Sequence, residues 1–173
     1  MFYTGRGDKG KTNLFGRRQR VSKDSLAIEL LGELDELNSL IGVYKNEFSR
    51  YNAVRNALER VQQDLFAIQA EAAGAGKKFG KEPLESLEKI IGKQSRGLKI
   101  NHFVIPGVNR NSALLDHLRA TARRVERRVV AFSRKKKVSP HILAYLNRLS
   151  SLFYVLARKE AQRGGKKERR PDY

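Results

Sequence analysis

Apolar residues recur along the chain at intervals of three and four positions, the spacing that places side chains on one face of an α-helix. Four long stretches show it: 27–44, 54–72, 114–132 and 143–156. A shorter stretch, 84–91, follows Pro83 and ends near Gly92. Each stretch carries one apolar stripe among polar residues, so the stripes are expected to pack against one another. The pattern predicts five helices.

Residues that start and stop helices flank these stretches. Ser139 followed by Pro140 is typical of a helix start, because the serine oxygen accepts a hydrogen bond from a free N–H and proline has none to satisfy. Gly74 and Gly76 are typical of a helix C-terminus. No segment alternates apolar and polar residues as strands do, apart from a brief extended piece at 102–105. The predicted fold class is therefore all-α, a five-helix bundle.

The length of 173 residues and the 40% hydrophobic content allow one core without cross-links. We expect a single domain over 1–173, with a basic tail at 164–173 that lacks apolar spacing and is expected to be disordered. No apolar run reaches the roughly 20 residues needed to cross a membrane, and the N-terminus is polar, so we expect a cytoplasmic protein. Cysteine is absent, which excludes thiolate metal ligands and cysteine nucleophiles.

The formal charge is +18, from 36 Lys and Arg against 18 Asp and Glu. Most of this charge lies in three segments, 6–23, 119–137 and 163–173. An even coating of lysine for solubility would not be clustered in this way. The charge therefore predicts a polyanionic ligand, but composition does not distinguish nucleotides from nucleic acid or other phosphorylated molecules.

Residues 5–12, GRGDKGKT, match the Walker A phosphate-loop pattern letter for letter. A true P-loop lies between a buried strand and a helix, whereas only four residues precede Gly5 and no helix start follows Thr12. The local chemistry still suits phosphate, because closely spaced glycines expose backbone N–H groups and Lys9 and Lys11 add charge. We interpret the segment as a phosphate-binding loop on a different fold. The alternative is a mobile N-terminal arm.

Positive charges lie along one side of the fourth predicted helix, at Arg119, Arg123 and Arg127, with Glu126 among them. Like charges on one face repel unless they hold an anion, and the guanidinium fork suits phosphate oxygens. The alternative is a solvated face on which Glu126 pairs with an arginine, and both interpretations stay open at this point.

Polar residues also interrupt two other helices. Asn147, Arg148 and Ser151 break the apolar stripe of the fifth helix and predict either a site, a subunit interface or ordinary surface. On the first helix, Asp35 either balances an arginine or belongs to a solvated acidic patch. His102 and His117 lie on different segments without carboxylates at ligand spacing, so they are expected to be structural.

Four ordered blocks resemble the ATP:cob(I)alamin adenosyltransferases of the propanediol-utilisation type, over residues 3 to about 158. The blocks are YTGRGDKGKT at 3–12 with LFG at 14–16 and RVSKD at 20–24, residues 29–42 with DELNS, FVIPG at 103–107 leading to SAL at 112–114, and the arginine-rich 119–128 joined to YLNRLS at 145–150. Four blocks in the same order are far more specific than one motif.

The resemblance implies an enzyme that transfers the 5′-deoxyadenosyl group of ATP to the cobalt of cob(I)alamin or a related corrinoid, forming adenosylcobalamin and releasing triphosphate. It implies a homotrimer with ATP and corrinoid bound between subunits, and magnesium held mainly by the ATP phosphates. A B12-dependent mutase or dehydratase and a corrinoid reductase are implied as partners. The competing hypothesis is a fold-retaining polyanion or nucleic-acid binding protein without turnover, which would explain the charge but not the four blocks.

The resemblance also assigns roles to individual residues. ATP would bind an N-terminal loop at about 1–24 and three helix residues: Thr4, Gly5, Arg6, Gly7, Asp8, Lys9, Gly10, Thr12, Lys23, Arg123, Glu126 and Asn147. Asp35 would pair with Arg119 across the interface, and both belong to the catalytic set with Arg123 and Phe103. The corrinoid would contact Phe103, Arg148 and Ser151, with Phe103 covering the lower corrin face.

Three positions depart from the family pattern. Arg6 stands where threonine is usual, the glycine pair after Pro106 is reduced to Gly107-Val108, and Ser151 replaces an acid. The loss of that acid is expected to leave Arg148 less compensated. These departures bear on corrinoid affinity and on which corrinoid is used.

Overall fold

The computed structural model describes residues 2–14, 20–48, 52–76, 78–165 and 167–172. These residues form two short strands and five α-helices: β1 Lys11–Asn13, β2 Arg20–Ser22, α1 Leu26–Lys45, α2 Asn52–Ala73, α3 Glu82–Ser95, α4 Arg110–Ser133 and α5 Pro140–Arg163. The predicted five helices are confirmed. None of the helices in these ranges is long and apolar enough to cross a membrane.

The helices pack through the apolar stripes that the sequence predicts. The α4 and α5 helices lie along each other, α1 packs on α2 and α4, and α3 packs on α5. Leu34, Leu37 and Ile41 of α1 are fully buried, as are Leu146 and Leu149 of α5. Burial of one such side chain contributes about 1.5–3 kcal/mol, so the shared core is the main source of stability.

The helix ends agree with the sequence except in α3. The Ser139 oxygen accepts a hydrogen bond from the His141 N–H at 3.3 Å, and Gly74 follows α2 with a φ of 92°. The α3 helix continues past Gly92 to Ser95, so its predicted end was wrong. Glycine inside a helix costs about 1 kcal/mol, which weakens the helix without ending it. The positive φ occurs instead at Gly97, at 78°.

The small antiparallel sheet was not predicted. In it β1 pairs with β2, and Thr12 lies opposite Val21. Strands of three residues are too short to show alternation, so hydrophobic patterning could not reveal them. The connecting residues Phe15 and Gly16, which belong to the first resembling block, lie outside the described residues. Because β1 and β2 are antiparallel, the residues that follow β2 lie close to the N-terminal loop that precedes β1.

One buried polar contact joins α2 to α5. The Tyr145 hydroxyl donates a hydrogen bond to Asp64 Oδ2 at 2.9 Å, and both residues are buried. Burial raises the pKa of Asp64, although Tyr145 and Arg60 oppose the rise. Burial also raises the pKa of Tyr145 well above its usual value, and the Asp64 carboxylate adds to the rise. The hydroxyl therefore serves as a permanent donor to a carboxylate that water reaches poorly.

Replacing Tyr145 by phenylalanine is expected to lower the free energy of unfolding by about 1–3 kcal/mol, because Asp64 loses a buried donor while the ring still fills its space. Urea denaturation measures the change. The matched control is Tyr154→Phe on the same helix, whose hydroxyl makes no hydrogen bond among the described residues and whose loss should cost less than about 0.5 kcal/mol. Equal destabilisation by the two variants would contradict this role for Asp64.

The described part of the C-terminal tail, for which the sequence predicts disorder, contacts the body of the protein at two points. Glu168 forms an ion pair with Arg158 of α5, with 2.9 Å between Glu168 Oε1 and Arg158 Nε. The Ile105 N–H donates a hydrogen bond to the Arg169 carbonyl oxygen at 2.9 Å. Burial raises the pKa of Glu168, although the Arg158 guanidinium opposes the rise. Apolar spacing could not predict this docking, because an ion pair and a backbone hydrogen bond hold the tail.

Candidate functional site

The N-terminal loop is folded by its own backbone. The Asp8 N–H donates to the Gly5 oxygen and the Gly10 N–H donates to the Gly7 oxygen, each at 3.2 Å. Gly5 and Gly10 have φ values of 65° and 70°, a region that side-chain-bearing residues rarely adopt. The Lys23 N–H then donates to the Gly10 oxygen at 2.9 Å. The loop is thus two consecutive turns joined to the residue that follows β2.

The hairpin also brings two cations to this loop. A β-carbon added to Gly7 would lie 3.0 Å from Lys23 Nζ, so the missing side chain makes room for the ammonium group. The Arg20 guanidinium donates to the carbonyl oxygens of Arg6 and Lys11. The structure therefore places Lys23 beside the loop, and its binding of ATP stays a prediction. The structure also adds Arg20, which belongs to the block at 20–24 but received no role from the sequence, because its contacts depend on the pairing of β1 and β2.

Two arginines of α4 make ordinary contacts between helices. Arg124 pairs with Glu36 of α1. Arg128 pairs with Glu29 at 2.8 Å and with Glu33 at 3.0 Å, both also on α1. These arginines are accounted for by helix packing.

A second set of arginines, in α4 and directly after it, borders a cavity of about 530 Å³. The cavity is lined by Arg123, Glu126, Arg127, Val130, Ala131, Arg134 and Asn147. Arg123, Arg127 and Arg134 are exposed, and none of them has a carboxylate partner among the described residues. Because like charges on one face repel, this arrangement suits an anion, and planar guanidinium groups suit phosphate oxygens.

Asn147 lies on α5 and lines this cavity, and its side chain hydrogen-bonds both to Glu126 of α4 and to its neighbour Arg148. Its Nδ2 donates to Glu126 Oε1 at 2.9 Å, and its Oδ1 accepts from Arg148 Nη1 at 2.7 Å. Glu126 is therefore held by an amide and not by one of the cavity arginines, in contrast to the alternative that the sequence left open. Arg148 Nε also lies 3.3 Å from Glu88 Oε1 of α3. Glu88 thus supplies Arg148 with a carboxylate partner, and the expectation that Ser151 leaves Arg148 less compensated stays a prediction.

Asp35 lies elsewhere on the molecule. It is exposed and lines a mostly apolar groove of about 640 Å³ between α1 and α2, together with Thr12 and Phe66. Asp35 has no ion-pair partner among the described residues. Arg119 pairs with Asp116 of its own helix, with 3.6 Å between Arg119 Nε and Asp116 Oδ1. No described loop residue lines the arginine cavity. A single chain thus presents the loop and the arginine cavity as separate parts, and the predicted pairing across an interface stays a prediction.

Phe103 lies in the loop between α3 and α4 and has 76% of its surface exposed. Ile105, two positions further, is 39% exposed. Exposed aromatic rings that no neighbour covers are common at binding surfaces. The described contacts do not join Phe103 to Arg148 or Ser151, and Ser151 is exposed on α5.

Within the described ranges, no three His, Asp or Glu side chains are grouped so that they could hold a metal ion. The two histidines considered from the sequence contact other polar side chains of the protein. His117 Nδ1 lies 2.7 Å from the Tyr44 hydroxyl, and His102 Nδ1 lies 3.0 Å from Asn101 Oδ1.

Known proteins are similar to this chain over most of its length. Two relatives are the corrinoid adenosyltransferases of Bacillus subtilis, 36% identical over 94% of this chain and 88% of the relative, and of Citrobacter freundii, 38% identical over 91% and 93%. A solved structure of a variant PduO-type ATP:corrinoid adenosyltransferase from Lactobacillus reuteri, complexed with cobalamin and ATP, has a TM-score of 0.90 and 28% identity, covering 99% of this chain and 96% of that one. The sequence profile described as cobalamin adenosyltransferase matches residues 2–160, and the chain belongs to that family.

Proposed function

We propose that this protein transfers the 5′-deoxyadenosyl group of ATP to the cobalt of cob(I)alamin or a related corrinoid and releases triphosphate. The observation that carries the proposal is the α4–α5 cavity, in which Arg123, Arg127 and Arg134 have no carboxylate partner among the described residues. Membership of the family supports the choice of substrates, since relatives are named for corrinoids and a solved structure of similar fold holds ATP and cobalamin.

The proposed reaction needs no nucleophile from the protein. Cobalt(I) supplies the electron pair that forms the bond to the 5′ carbon of ATP, and the carbon–oxygen bond breaks so that triphosphate leaves with its electrons. The residues of this chain would align the two reactants and stabilise the growing charge on the leaving oxygens. Arg123 would bind phosphate oxygens, while Glu126 and Asn147 hold each other in place at the cavity wall.

The N-terminal loop would bind the same nucleotide from another subunit. The N–H groups of Gly5 and Gly7 and the Lys23 ammonium group would be the donors, but they lie apart from the arginine cavity of their own chain. A homotrimer in which the loop of one subunit meets α4 of the next would complete the site. In that assembly Asp35 would pair with Arg119 of a neighbouring subunit, and the apolar groove around Phe66 would be covered.

The corrinoid would lie against Phe103, with Arg148 and Ser151 as further contacts. The exposed Phe103 ring provides an apolar plane that suits the lower face of a corrin and would keep water from the cobalt. Magnesium would be held mainly by the ATP phosphates. The cytoplasm as location, and a corrinoid reductase and a B12-dependent mutase or dehydratase as partners, belong to the same proposal.

Replacing Arg20 by alanine is expected to raise the KM for ATP by about tenfold, the equivalent of one or two charge-assisted hydrogen bonds, with little change in the KM for corrinoid. The reason is that Arg20 holds the carbonyl oxygens of Arg6 and Lys11 and thereby the orientation of the loop N–H groups. Steady-state kinetics at varied ATP measures the effect. The control is Lys11→Ala, which removes a positive charge but keeps both of these carbonyl groups. An equal rise in the KM for ATP in both variants would mean that Arg20 acts only through its charge.

The proposed function is tested with the wild-type protein under anaerobic conditions. Chemically reduced cobalamin and magnesium-ATP are mixed with the protein, and formation of adenosylcobalamin is followed by absorbance together with triphosphate release. We expect both products in equal amounts. Binding of ATP and of duplex DNA without turnover would instead support the polyanion-binding hypothesis, which predicts an affinity for DNA that falls steeply with salt.

A further inference from the structure

The loop between α3 and α4, residues 96–109, is tied to the body of the protein at three points. At its start, Lys159 Nζ of α5 donates a hydrogen bond to the Arg96 oxygen at 2.7 Å. At its end, Asn109 Nδ2 donates to the Glu160 oxygen at 2.9 Å. Both ends are therefore held by α5 itself.

The middle of this loop, which carries Phe103, is held differently. Among the described residues, the hydrogen bond that ties residues 99–107 to a distant part of the chain is the one from the Ile105 N–H to the Arg169 oxygen, 2.9 Å long. The other hydrogen bond described there joins neighbours, His102 and Asn101. The tail thus provides the long-range hydrogen bond that restrains the segment around Phe103.

Glu168 fixes the tail at this place. Its carboxylate contacts Arg158, whose side chain is only 1% exposed and which also contacts the buried Asp116 of α4. A buried guanidinium group demands negative partners, because a buried charge left without compensation is costly. The Tyr154 ring, 5.0 Å from the Arg158 guanidinium carbon, adds a further restraint on its position.

The neighbours of Glu168 lie on the side of the loop. Lys167 and Arg169 are exposed and line a small cavity of about 240 Å³ together with Ile105, Pro106, Gly107 and Val108. Successive side chains of an extended segment point to opposite sides, so Glu168 can face Arg158 while residues on either side of it face the loop. The tail therefore lies between the buried ion cluster and the Phe103 loop.

We propose that residues 167–172 form a C-terminal strap, anchored by Glu168 on Arg158, that positions the loop carrying Phe103 for corrinoid binding. This role rests on the proposed function. The strap lies beyond residues 2–160, the part of the chain that the family profile matches. Glu168 is a positioning residue, because it acts on the loop through the backbone of Arg169 and touches no substrate in this scheme.

The first experiment tests, without any ligand, whether Glu168 anchors the strap on the loop. Amide hydrogen exchange at Ile105 is compared in the full-length wild type, Glu168→Ala and the matched control Asp172→Ala, which removes an exposed carboxylate from the same tail. We expect exchange at Ile105 to be about tenfold faster in Glu168→Ala and unchanged in the control, because loss of the anchor frees the acceptor carbonyl. Glu168→Gln, which keeps an uncharged acceptor, should lie between them and replaces Glu168→Ala if that variant does not fold.

The second experiment measures the consequence for the site. Cob(II)alamin in the presence of magnesium-ATP is titrated into the same variants, and the absorbance change that accompanies binding is recorded. We expect the dissociation constant for corrinoid to rise about tenfold in Glu168→Ala, with the KM for ATP within about twofold of wild type. A general loss of structure would raise both constants, so the difference between them identifies a positioning role.

The outcomes separate this proposal from the proposed function. Unchanged exchange at Ile105 in Glu168→Ala would contradict the proposal that Glu168 anchors the strap. Faster exchange with unaltered corrinoid affinity would overturn its role at the site. If wild type binds no corrinoid at all, the proposed function fails and the strap's role with it, whereas wild-type binding with the expected loss in Glu168→Ala supports both.

Discussion

Replacing Arg123 by alanine is expected to lower kcat/KM for adenosyl transfer by about 10²–10³-fold, the range observed when one preorganised donor to a developing negative charge is removed. Arg123 is exposed at the cavity and packs no part of the core, so helix content and thermal stability should be unchanged. The loss is expected in kcat as well as in the KM for ATP, because the charge on the triphosphate grows as the carbon–oxygen bond breaks.

Two further variants serve as controls for Arg123→Ala. Arg123→Lys keeps the positive charge but loses the planar fork, and we expect an intermediate loss of activity. Arg55→Ala removes a half-buried arginine of α2 whose described partner is Glu59, with 3.2 Å between Arg55 Nε and Glu59 Oε1, and should leave activity near that of wild type. Near-normal turnover by Arg123→Ala would take α4 out of the active site and would remove the observation that carries the proposed function.

Replacing Phe103 by alanine is expected to impair mainly the reaction that starts from cobalt(II). The exposed ring is proposed to cover the lower corrin face and to keep water or a lower ligand from the cobalt, which makes reduction to cobalt(I) easier. We expect the rate of adenosyl transfer to fall about 10²-fold when the reaction starts from cob(II)alamin and a reductant. The rate should fall less when cob(I)alamin is supplied directly, because the ring is then not needed to assist the reduction.

The absorption spectrum of bound cob(II)alamin provides the direct measurement. Wild type is expected to change this spectrum in the presence of ATP, and Phe103→Ala is expected to leave it close to that of the free corrinoid. The two starting redox states serve as an internal control, because the variant and its folding are the same in both reactions. Identical spectra with wild type and variant would contradict the assigned position of Phe103.

The helices could be read from the sequence because their apolar stripes recur at local spacing. The stripe containing Leu34, Leu37 and Ile41 is buried as the spacing requires, and the Ser139 cap lies where its chemistry predicts. The end of α3 was misjudged because Gly92 only weakens a helix, and α3, which packs on α5, continues to Ser95. Local propensity sets where a helix can form, and tertiary contacts decide where it ends.

The functions of the α4 arginines could not be separated by sequence. Arg123 and Arg124 are neighbours of the same type, yet one borders the cavity and the other pairs with Glu36 of α1. Their difference depends on which face of α4 is turned to α1, and this follows from the packing of the whole bundle. The same holds for Glu126, whose partner Asn147 is 21 residues away on another helix.

The sequence by itself determined the helical class, the clustering of charge and the blocks that identify the family, because these are local or linear properties of the chain. Only the tertiary structure decided that Arg148 is compensated by Glu88, that Arg20 holds the N-terminal loop and that Glu168 anchors the tail. Each of these contacts joins two different segments of the fold through a charged group. Hydrophobic periodicity carries no information about such pairs, since a charged side chain finds its partner only after the apolar faces have brought the segments together.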